Sequence, residues 1–125
     1  MRYLVDTNIF IWWMEENKRL HKEQMNLLND PQNQIFLSVA SIWEIVIKQA
    51  KGKLKTPRDI GGGIKRSKFT MLPIETSHVL GVGKLPLHHN DPFDRLLISQ
   101  AKVEKLTLIT SDQKFKKYQL SLMGI

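Results

Sequence analysis

The chain has 125 residues, of which 42% are hydrophobic and 25% charged, and it contains no cysteine. This size and composition are typical of one globular domain, so we expect residues 1–125 to form a single domain. A disulfide framework and thiolate metal sites are excluded, and no apolar run reaches the roughly 20 residues of a membrane span. The chain enters a strand-like segment at once and shows no secretory signal, so we expect a cytoplasmic protein.

The charge balance is strongly basic, because 19 lysines and arginines oppose 12 acidic residues and give a formal net charge of +7. Such a surface attracts polyanions, since cationic side chains neutralise phosphates and release counterions. A well-solvated basic surface without a ligand is the alternative. Nucleic acid is favoured by the placement of the few acidic residues, several of which fall at predicted strand ends or helix starts.

Strand-like and helix-like segments alternate from the start of the chain. Residues 2–5 combine aromatic and β-branched side chains and predict a buried strand that ends at Asp6. Apolar residues recur through residues 9–14 and predict a helix, before a turn at residues 29–32. Residues 34–39 predict the second strand.

The middle of the chain continues this alternation. A helix is predicted from Ser41 to Lys51, and Gly52 is a suitable stop for it. Residues 53–68 form a basic connection that we expect to contain a short helix. Residues 69–74 predict the third strand.

The last third of the chain adds a helix and two strands. A short helix is predicted at residues 76–82, and the Asp91-Pro92 pair is a usual helix opening, with proline at the first position. Residues 106–110 predict the fourth strand and residues 120–123 a short edge strand. The alternation predicts a three-layer α/β/α fold with a central, mainly parallel sheet of four to five strands.

Four acidic residues follow the predicted strands, either at the strand end or in the next helix. They are Asp6, Glu44, Asp94 and Asp112. In a parallel sheet the connections that follow the strands emerge at the same edge, so we expect these four side chains to meet in one cleft. Carboxylates at such short distances repel one another, and a bound cation relieves that repulsion.

The chemistry of this set indicates the metal and the reaction. Oxygen ligands without histidine or cysteine partners favour Mg²⁺, with Mn²⁺ as the alternative. A bound ion of this kind lowers the pKa of an attacking water and neutralises charge on a scissile phosphate. On a basic protein, the acidic cluster therefore indicates metal-assisted hydrolysis of a phosphodiester.

Glu44 also has a structural interpretation. It stands three residues after Ser41, and this spacing matches a capping box at the start of a helix. The sequence leaves both roles open.

The other acidic residues have structural alternatives as well. Asp91 suits the N-cap of a helix, and Asp94 suits the first helical turn, where the helix dipole favours an acid. Asp6 and Asp112 suit Asx turns after their strands. Four such coincidences at one edge of one sheet favour a functional site.

Two pairs of adjacent residues precede or follow this cluster. His88 and His89 lie in the loop before the Asp-Pro helix; they are either a solvated pair or a contact to substrate phosphate or a proton relay. Trp12 and Trp13 cannot both be buried on the same side of one helix. We expect one indole in the core and the other on a surface for a partner.

Four segments, in this order along the chain, resemble the PIN-domain proteins and, within them, the VapC-like toxins of bacterial toxin–antitoxin pairs. They are Leu4-Val5-Asp6-Thr7-Asn8, Ser41-Ile42-Trp43-Glu44-Ile45, Asp91-Pro92-Phe93-Asp94-Arg95-Leu96-Leu97-Ile98-Ser99-Gln100-Ala101 and Leu108-Ile109-Thr110-Ser111-Asp112. The resemblance covers essentially the whole chain and implies a PIN-like fold. It also implies a magnesium-dependent endoribonuclease that a cognate antitoxin inhibits, commonly as a dimer or higher assembly.

The resemblance assigns roles by position. Asp6, Glu44 and Asp94 match the metal-binding and catalytic acids of the family, and Asp112 matches the more variable fourth. Asp94 is preferred over Asp91 as the metal ligand because it holds the family's position, seven residues before Ala101, while Asp91 fits the helix N-cap. If the helix starts elsewhere, the ligand and the N-cap exchange places. Four residues are expected to support these acids. Thr7 and Asn8 match a polar pair that steadies the first Asp of the family, and Ser41 matches a small polar residue near the acids. Asp91 is the fourth.

The resulting hypothesis is a ribonuclease toxin whose basic side chains hold the RNA. The residues expected to contact RNA are Lys48, Lys53, Lys55, Arg58, Lys65, Arg66, Arg95 and His89. The alternatives are a housekeeping RNA-processing or structure-specific nuclease and a catalytically silent module that binds RNA or an antitoxin. A phospho-acceptor receiver domain is disfavoured because Asp6 has no acidic neighbour. The sequence does not distinguish one bound metal ion from two.

Overall fold

The computed structural model describes residues 1–53, 59–118 and 122–123. Each of the first three strands is followed by two helices, and a 3₁₀ helix at Gln113–Lys117 precedes the last strand. The remaining elements are β1 (Arg2–Val5), α1 (Thr7–Glu15), α2 (Lys22–Asn29), β2 (Gln34–Ser38), α3 (Val39–Ala50), α4 (Ile60–Ser67), β3 (Thr70–Leu72), α5 (Thr76–Val82), α6 (Pro92–Glu104), β4 (Thr107–Ile109) and β5 (Leu122–Met123).

The five strands form one sheet in the order β3-β2-β1-β4-β5, and every neighbouring pair is parallel. The first strand is central: Val5 pairs with Leu37 of β2 on one side and with Ile109 of β4 on the other. The predicted fold class is confirmed. Because all strands run the same way, the segments that follow β1, β2 and β4 leave the sheet at one edge.

The two faces of the sheet are covered by separate apolar clusters, as the alternation of side chains along a strand requires. Tyr3 and Val5 face the cluster formed with α1 and α2, in which Phe10 is fully buried. Leu4 faces the opposite cluster, formed with α6 and the 3₁₀ helix, in which Leu97 is fully buried. The predicted strands read as continuous apolar runs because both of their faces are buried.

The region between β1 and the turn at residues 29–32 contains two helices, where the apolar pattern predicted one. The first ends at Glu16, which has a left-handed backbone (φ 53°), and the N–H of Asn17 closes the end on the carbonyl of Trp12. The next helix begins after His21. The break turns the chain so that both helices cover the same sheet face.

The helix that carries Glu44 begins earlier than predicted. Its N-cap is Ser38, whose hydroxyl accepts a hydrogen bond from the N–H of Ala40 at 3.0 Å. Ser41 therefore lies inside the helix and is fully buried. This shift changes the interpretation of Glu44.

The basic connection contains a helix, α4, as expected, while residues 54–58 of that connection lie outside the described part. At Gly63 a Cβ atom would lie 2.4 Å from the sulfur of Met14, so glycine permits the close approach of α4 to α1. The predicted edge strand is present at Leu122–Met123, and residues 120 and 121 lie outside the described residues. Among the helices that the structure describes, none is long and apolar enough to cross a membrane.

Candidate metal centre

Asp6 lies directly after the central strand and is buried, with 4% of its surface exposed. Its Oδ1 accepts a hydrogen bond from the N–H of Ile9 at 2.8 Å, and the hydroxyl of Thr110 donates to Oδ2. Asp6 is thus the N-cap of α1 and is also tied to the end of the neighbouring strand. The hydroxyl at residue 110 was not foreseen. The signal for it is a buried polar residue at the end of an apolar strand.

Glu44 projects from the second turn of α3 and is also 4% exposed. Its Oε2 accepts a hydrogen bond from Lys48 Nζ at 2.6 Å. Its Oε1 is buried, and none of the described residues gives it a hydrogen bond. The capping-box alternative is wrong, because Ser38 is the N-cap and the Glu44 side chain faces its own helix partner Lys48.

Asp91 and Asp94 divide their roles clearly. Asp91 is the N-cap of α6, and its Oδ1 accepts hydrogen bonds from the N–H groups of Phe93 at 2.8 Å and Asp94 at 3.1 Å. The Asp94 side chain is 21% exposed and approaches His89, with 3.0 Å between Oδ2 and Nε2. The helix α6 begins at Pro92, so Asp91 is the N-cap, as the preference for Asp94 as metal ligand required. The choice of Asp94 as a metal ligand stays a proposal.

Asp112 follows β4 and combines two roles. Its Oδ1 accepts a hydrogen bond from the N–H of Lys114 at 2.9 Å and caps the 3₁₀ helix, as the Asx-turn alternative predicted. Its N–H donates to the hydroxyl of Thr110 at 3.0 Å. Because that hydroxyl also donates to Asp6, one threonine connects the first and the fourth acid of the set.

The pKa values show that the acids of the set face one another. The pKa of Asp94 is raised to about 8, first by burial and then by the charges of the neighbouring acids, Asp91, Glu44, Asp6 and Asp112. The pKa of Asp6 is raised to about 6, again chiefly by burial, although the Thr110 and Ile9 hydrogen bonds oppose the rise. The hydrogen bond to Glu44 raises the pKa of Lys48. Apart from Lys48, the described cleft has little positive charge to offset its acids.

The residues present fit a hard divalent cation. The set offers carboxylate oxygens, which Mg²⁺ and Mn²⁺ prefer, and Glu44 Oε1 is buried without a partner. A cation would also remove the repulsion that raises the pKa of Asp94. At pH 7 binding must displace a proton from a carboxyl of pKa about 8, a cost of about 1.4 kcal/mol that a divalent charge readily offsets.

The two histidines of the preceding loop differ. His88 is exposed and its ring packs edge-on against Tyr118, which matches the expectation of a solvated loop residue. His89 is 8% exposed, and its ring packs edge-on against Phe115. The side chains of His89, Asp94 and Asp112 offer one nitrogen and two oxygen atoms that all lie within 4.8 Å of one another. His89 therefore belongs to the cleft.

The predicted supporting residues occupy different places. Thr7 donates from its hydroxyl to the hydroxyl of Ser41 at 3.0 Å, which links α1 to α3 beneath the acids. Asn8 is exposed on the first turn of α1. The described hydrogen bonds to the Asp6 carboxylate come from Ile9 and Thr110. Thr110 therefore steadies Asp6, the role that the resemblance gave to Thr7 and Asn8.

Only a few of the residues predicted to bind RNA are brought together, since Lys48 and His89 both lie beside acids of the cleft. Arg95 directs its guanidinium into the protein, where it donates to the carbonyls of Val82 at 3.1 Å and Pro86 at 3.0 Å. It thus holds the 82–89 segment against α6 instead of facing solvent. The others scatter: Lys48 is at the acids, Lys53 and Lys65 are exposed elsewhere, Arg66 borders a groove beside Trp13, and Lys55 and Arg58 lie outside the described residues.

The family model of the PIN domain matches residues 3–120. The chain belongs to the PIN domain family. PIN domains are generally nucleases, and they typically use divalent metal ions. A comparison with curated proteins finds no match.

Solved structures with this fold include toxin–antitoxin complexes. The VapBC2 complex from Rickettsia felis, bound to a DNA fragment from its promoter, contains a chain that is 22% identical, with 98% of each chain covered and a TM-score of 0.74. For VapBC-1 from nontypeable Haemophilus influenzae the identity is 21%, the coverage 98% of this chain and 97% of that chain, and the TM-score 0.66. For DNA-bound VapBC from Salmonella typhimurium the identity is 14%, the coverage 98% of this chain and 97% of that chain, and the TM-score 0.72. At such identities the likeness shows the shared fold.

Proposed function

We propose that this PIN domain is a magnesium-dependent endoribonuclease and the toxin of a toxin–antitoxin pair. The observation that carries the proposal is the meeting of Asp6, Glu44, Asp94 and Asp112 at one edge of the sheet, where the pKa of Asp94 rises to about 8. An acidic cleft on a protein of net charge +7 suits a cation-dependent reaction on a polyanion. The fold shared with chains of VapBC complexes supports the toxin assignment.

Each acid contributes to the reaction from a fixed position. When bound, the cation supplies an activated water and neutralises charge on the scissile phosphate. Asp6 is held on both oxygens, so it presents its remaining lone pairs in one orientation. Glu44 offers its unpartnered Oε1, while Lys48 beside it places a positive charge where the phosphate of an RNA strand would enter. Asp94 and Asp112, which lie together beside His89, complete the set.

An antitoxin has a groove to occupy on the α1 and α2 side of the molecule. A cavity of about 470 Å³ is lined by aromatic and apolar side chains, among them Trp13, Leu28 and Phe69, with Arg66 and Lys68 also on its wall. Both first-helix indoles are half-buried, and Trp13 forms part of this wall. We propose that an amphipathic antitoxin helix with acidic flanks binds here and continues to the acids.

A second apolar surface lies on α3. Val39, Trp43 and Val46 are 40%, 55% and 51% exposed and stand at helical spacing, so they form one stripe. The exposed indole of the chain is thus Trp43, which packs edge-on against Phe93 beside the cleft. We propose this stripe as the surface on which two copies associate. Replacement of Trp43 by glutamate should shift a dimer to a monomer in light scattering, and an unchanged mass would overturn this assignment.

The function is tested by cleavage of a mixed RNA substrate with purified protein, assayed with Mg²⁺, with Mn²⁺ and with chelator. We expect cleavage with either ion, none with chelator, and none for Asp6→Asn or Glu44→Gln. Glu44→Gln is the sharper variant because glutamine preserves the shape and the Lys48 contact. Normal cleavage by Glu44→Gln would remove Glu44 from the metal site. Absence of cleavage by the wild-type protein with either ion would overturn the ribonuclease proposal.

The partner is tested separately, by co-expression with any small protein that is encoded beside this chain. A stable complex that no longer cleaves RNA supports the toxin assignment. Full cleavage by a verified complex would overturn inhibition by occupation of the cleft. Replacement of Lys68 by glutamate should weaken the complex but leave cleavage by the free protein unchanged, since Lys68 borders the groove and is not among the residues predicted to contact RNA.

A further inference from the structure

His89 is the residue of the cleft whose role neither the family nor the acidic set defines. We propose that His89 is a positioning residue that donates its Nε2–H to the carboxylates of Asp94 and Asp112, and that it is not a ligand of the cation. The inference rests on the metal centre proposed above. It follows from three observations: the fixed backbone of the loop, the hydrogen bond at Nδ1, and the environment of Nε2.

The loop that carries His89 is held by one tyrosine and one arginine. The hydroxyl of Tyr118 accepts hydrogen bonds from the N–H groups of His88 at 3.2 Å and His89 at 2.9 Å, and it donates to the carbonyl of Pro86 at 3.0 Å. Arg95 donates to the same carbonyl, also at 3.0 Å. These contacts fix the position from which the imidazole enters the cleft.

The tautomer of the ring follows from its other nitrogen. Nδ1 of His89 accepts a hydrogen bond from the N–H of Asp91 at 3.1 Å. A backbone N–H always donates, so Nδ1 must offer its lone pair. In the neutral ring the proton is then on Nε2, which makes this atom a donor.

The environment of Nε2 suits a donor. The atom is buried, it lies 3.0 Å from Asp94 Oδ2 and 3.4 Å from Asp112 Oδ2, and it is aligned for a hydrogen bond with neither. No other described residue satisfies it. Buried ring nitrogens without a partner are rare, so this one requires an explanation. A small rotation of either carboxylate, about a torsion that is broad for aspartate, completes the bond.

The same tautomer argues against ligation. A histidine that binds a metal offers the lone pair of one nitrogen and donates from the other to a carbonyl or carboxylate. His89 has the reverse arrangement. Although one imidazole and two carboxylates together suit transition metals, the donor set left for the ion consists of oxygens. The inference therefore sharpens the metal preference toward Mg²⁺ and Mn²⁺ and away from Zn²⁺.

The first test measures the affinity for Mg²⁺ by calorimetry in four proteins. His89→Phe keeps the ring and its packing on Phe115 but removes the donor, and we expect a 10- to 100-fold loss of affinity, the range typical of residues that orient ligands. His89→Gln restores a donor and should recover most of the affinity. His88→Phe is the matched control in the same loop and should bind like the wild type. Equal affinity in the wild type and His89→Phe would overturn the inference.

The second test uses the wild-type protein and so does not depend on how the variants fold. Nitrogen-15 NMR of the metal-free protein should show the neutral His89 ring protonated on Nε2. Pulsed EPR of the Mn²⁺-loaded protein should show no directly bonded nitrogen. A ring protonated on Nδ1, or a nitrogen coupling that disappears in His89→Phe, would overturn the inference but leave the nuclease proposal intact. Failure of the wild type to bind either ion would overturn the metal centre itself.

Discussion

Two buried histidines of this chain are alike at one ring nitrogen and opposite at the other. Nδ1 of His78 accepts a hydrogen bond from the N–H of Glu75 at 2.9 Å, just as Nδ1 of His89 accepts from Asp91 at 3.1 Å. Each ring therefore carries its proton on Nε2 when neutral. For His78 that proton meets Glu104 at 2.8 Å in an aligned hydrogen bond, whereas for His89 it meets two carboxylates without alignment.

The difference separates a structural from a functional environment. His78 is fully buried, and its surroundings also include the Gln100 amide, which lies 3.4 Å from Nδ1 and donates to the carbonyl of Pro73. Among the described residues, no buried side-chain nitrogen or oxygen of this network lacks a partner, which is the usual condition of a buried group that stabilises a fold. The His89 end of the molecule leaves an imidazole and a glutamate oxygen unpaired. The glutamate oxygen stays available to a cation, and the imidazole N–H stays available to the carboxylates that would hold that cation.

The largest expected contrast is in catalysis, between the acids that the two histidines face. Asp94→Asn should lower RNA cleavage by at least about 100-fold, because it removes a negative charge from the set that holds the cation. Glu104→Gln should leave cleavage unchanged, since Glu104 pairs with His78 on the far end of α6. Single-turnover cleavage with saturating Mg²⁺ measures both. Equal losses in the two variants would remove the functional distinction between the two environments.

The next contrast is in stability. His78→Leu leaves the Glu75 N–H without its acceptor and Glu104 without its donor. Both groups are only partly buried, and the Glu104 side chain is 34% exposed, so water offsets part of the usual cost of about 1–3 kcal/mol for an unsatisfied buried group. We expect a loss of about 1–3 kcal/mol in urea unfolding. His88→Leu, on the exposed neighbour of His89, is the control and should change stability by less than about 0.5 kcal/mol. A His78 variant as stable as that control would contradict the structural role of this network.

The pH dependence of the metal-free protein gives a smaller contrast. The folded protein binds the Asp94 proton more tightly than the unfolded chain, because its pKa rises from 3.8 to about 8. This carboxyl therefore stabilises the fold fully below pH 3.8, and the contribution is lost as pH rises through 8. Between pH 5 and 8 we expect a loss of about 2 kcal/mol, allowing for the partial exposure of the side chain.

The comparison variants identify the source of that slope. Asp94→Asn should flatten the part of it above the Asp6 pKa of about 6, and Glu104→Gln should not. Mg²⁺ should raise the melting temperature more at pH 8 than at pH 6, because the ion no longer competes with a bound proton. A slope that survives in Asp94→Asn would show that other groups cause it.

Periodicity and chain order were sufficient to predict the parallel sheet and the edge at which the acids meet. The apolar pattern of residues 2–5 and 34–39 is visible in the sequence itself. Parallel pairing of the two strands then places the segments that follow them at the same edge of the sheet. The start of α3 was predicted two residues late because Ser38 and Ser41 are both acceptable caps, and tertiary contacts select the first. Local sequence does not distinguish them.

The hydrogen bonds of the cleft could not be predicted from the sequence. Thr110 reaches Asp6 across a separation of 104 residues, and the orientation of the Arg95 guanidinium depends on the path of the 82–89 loop. The tautomer of His89 depends on one backbone N–H two residues away, at Asp91. Such contacts arise from packing in three dimensions, so a sequence pattern identifies the residue types but not their partners.

The smallest expected effect concerns Lys48, the cation that the cleft already contains. Its ammonium pairs with Glu44 at 2.6 Å and is 42% exposed, so the pair should contribute only about 0–1 kcal/mol to stability. The described partners of the His78 ring include no lysine or arginine, whereas Lys48 pairs directly with an acid of the cleft. Lys48→Met should lower the free energy of unfolding by about 1 kcal/mol, because the buried Glu44 carboxylate loses its described partner. It should tighten Mg²⁺ binding a few-fold, because the ion no longer competes with an ammonium group for Glu44, and slow cleavage at low RNA concentration, because one phosphate contact is lost. In the same variant, the slope of the logarithm of RNA affinity against the logarithm of salt concentration should decrease in magnitude by about 1. Weaker Mg²⁺ binding in Lys48→Met would contradict this competition and indicate that Lys48 holds Glu44 in place for the metal.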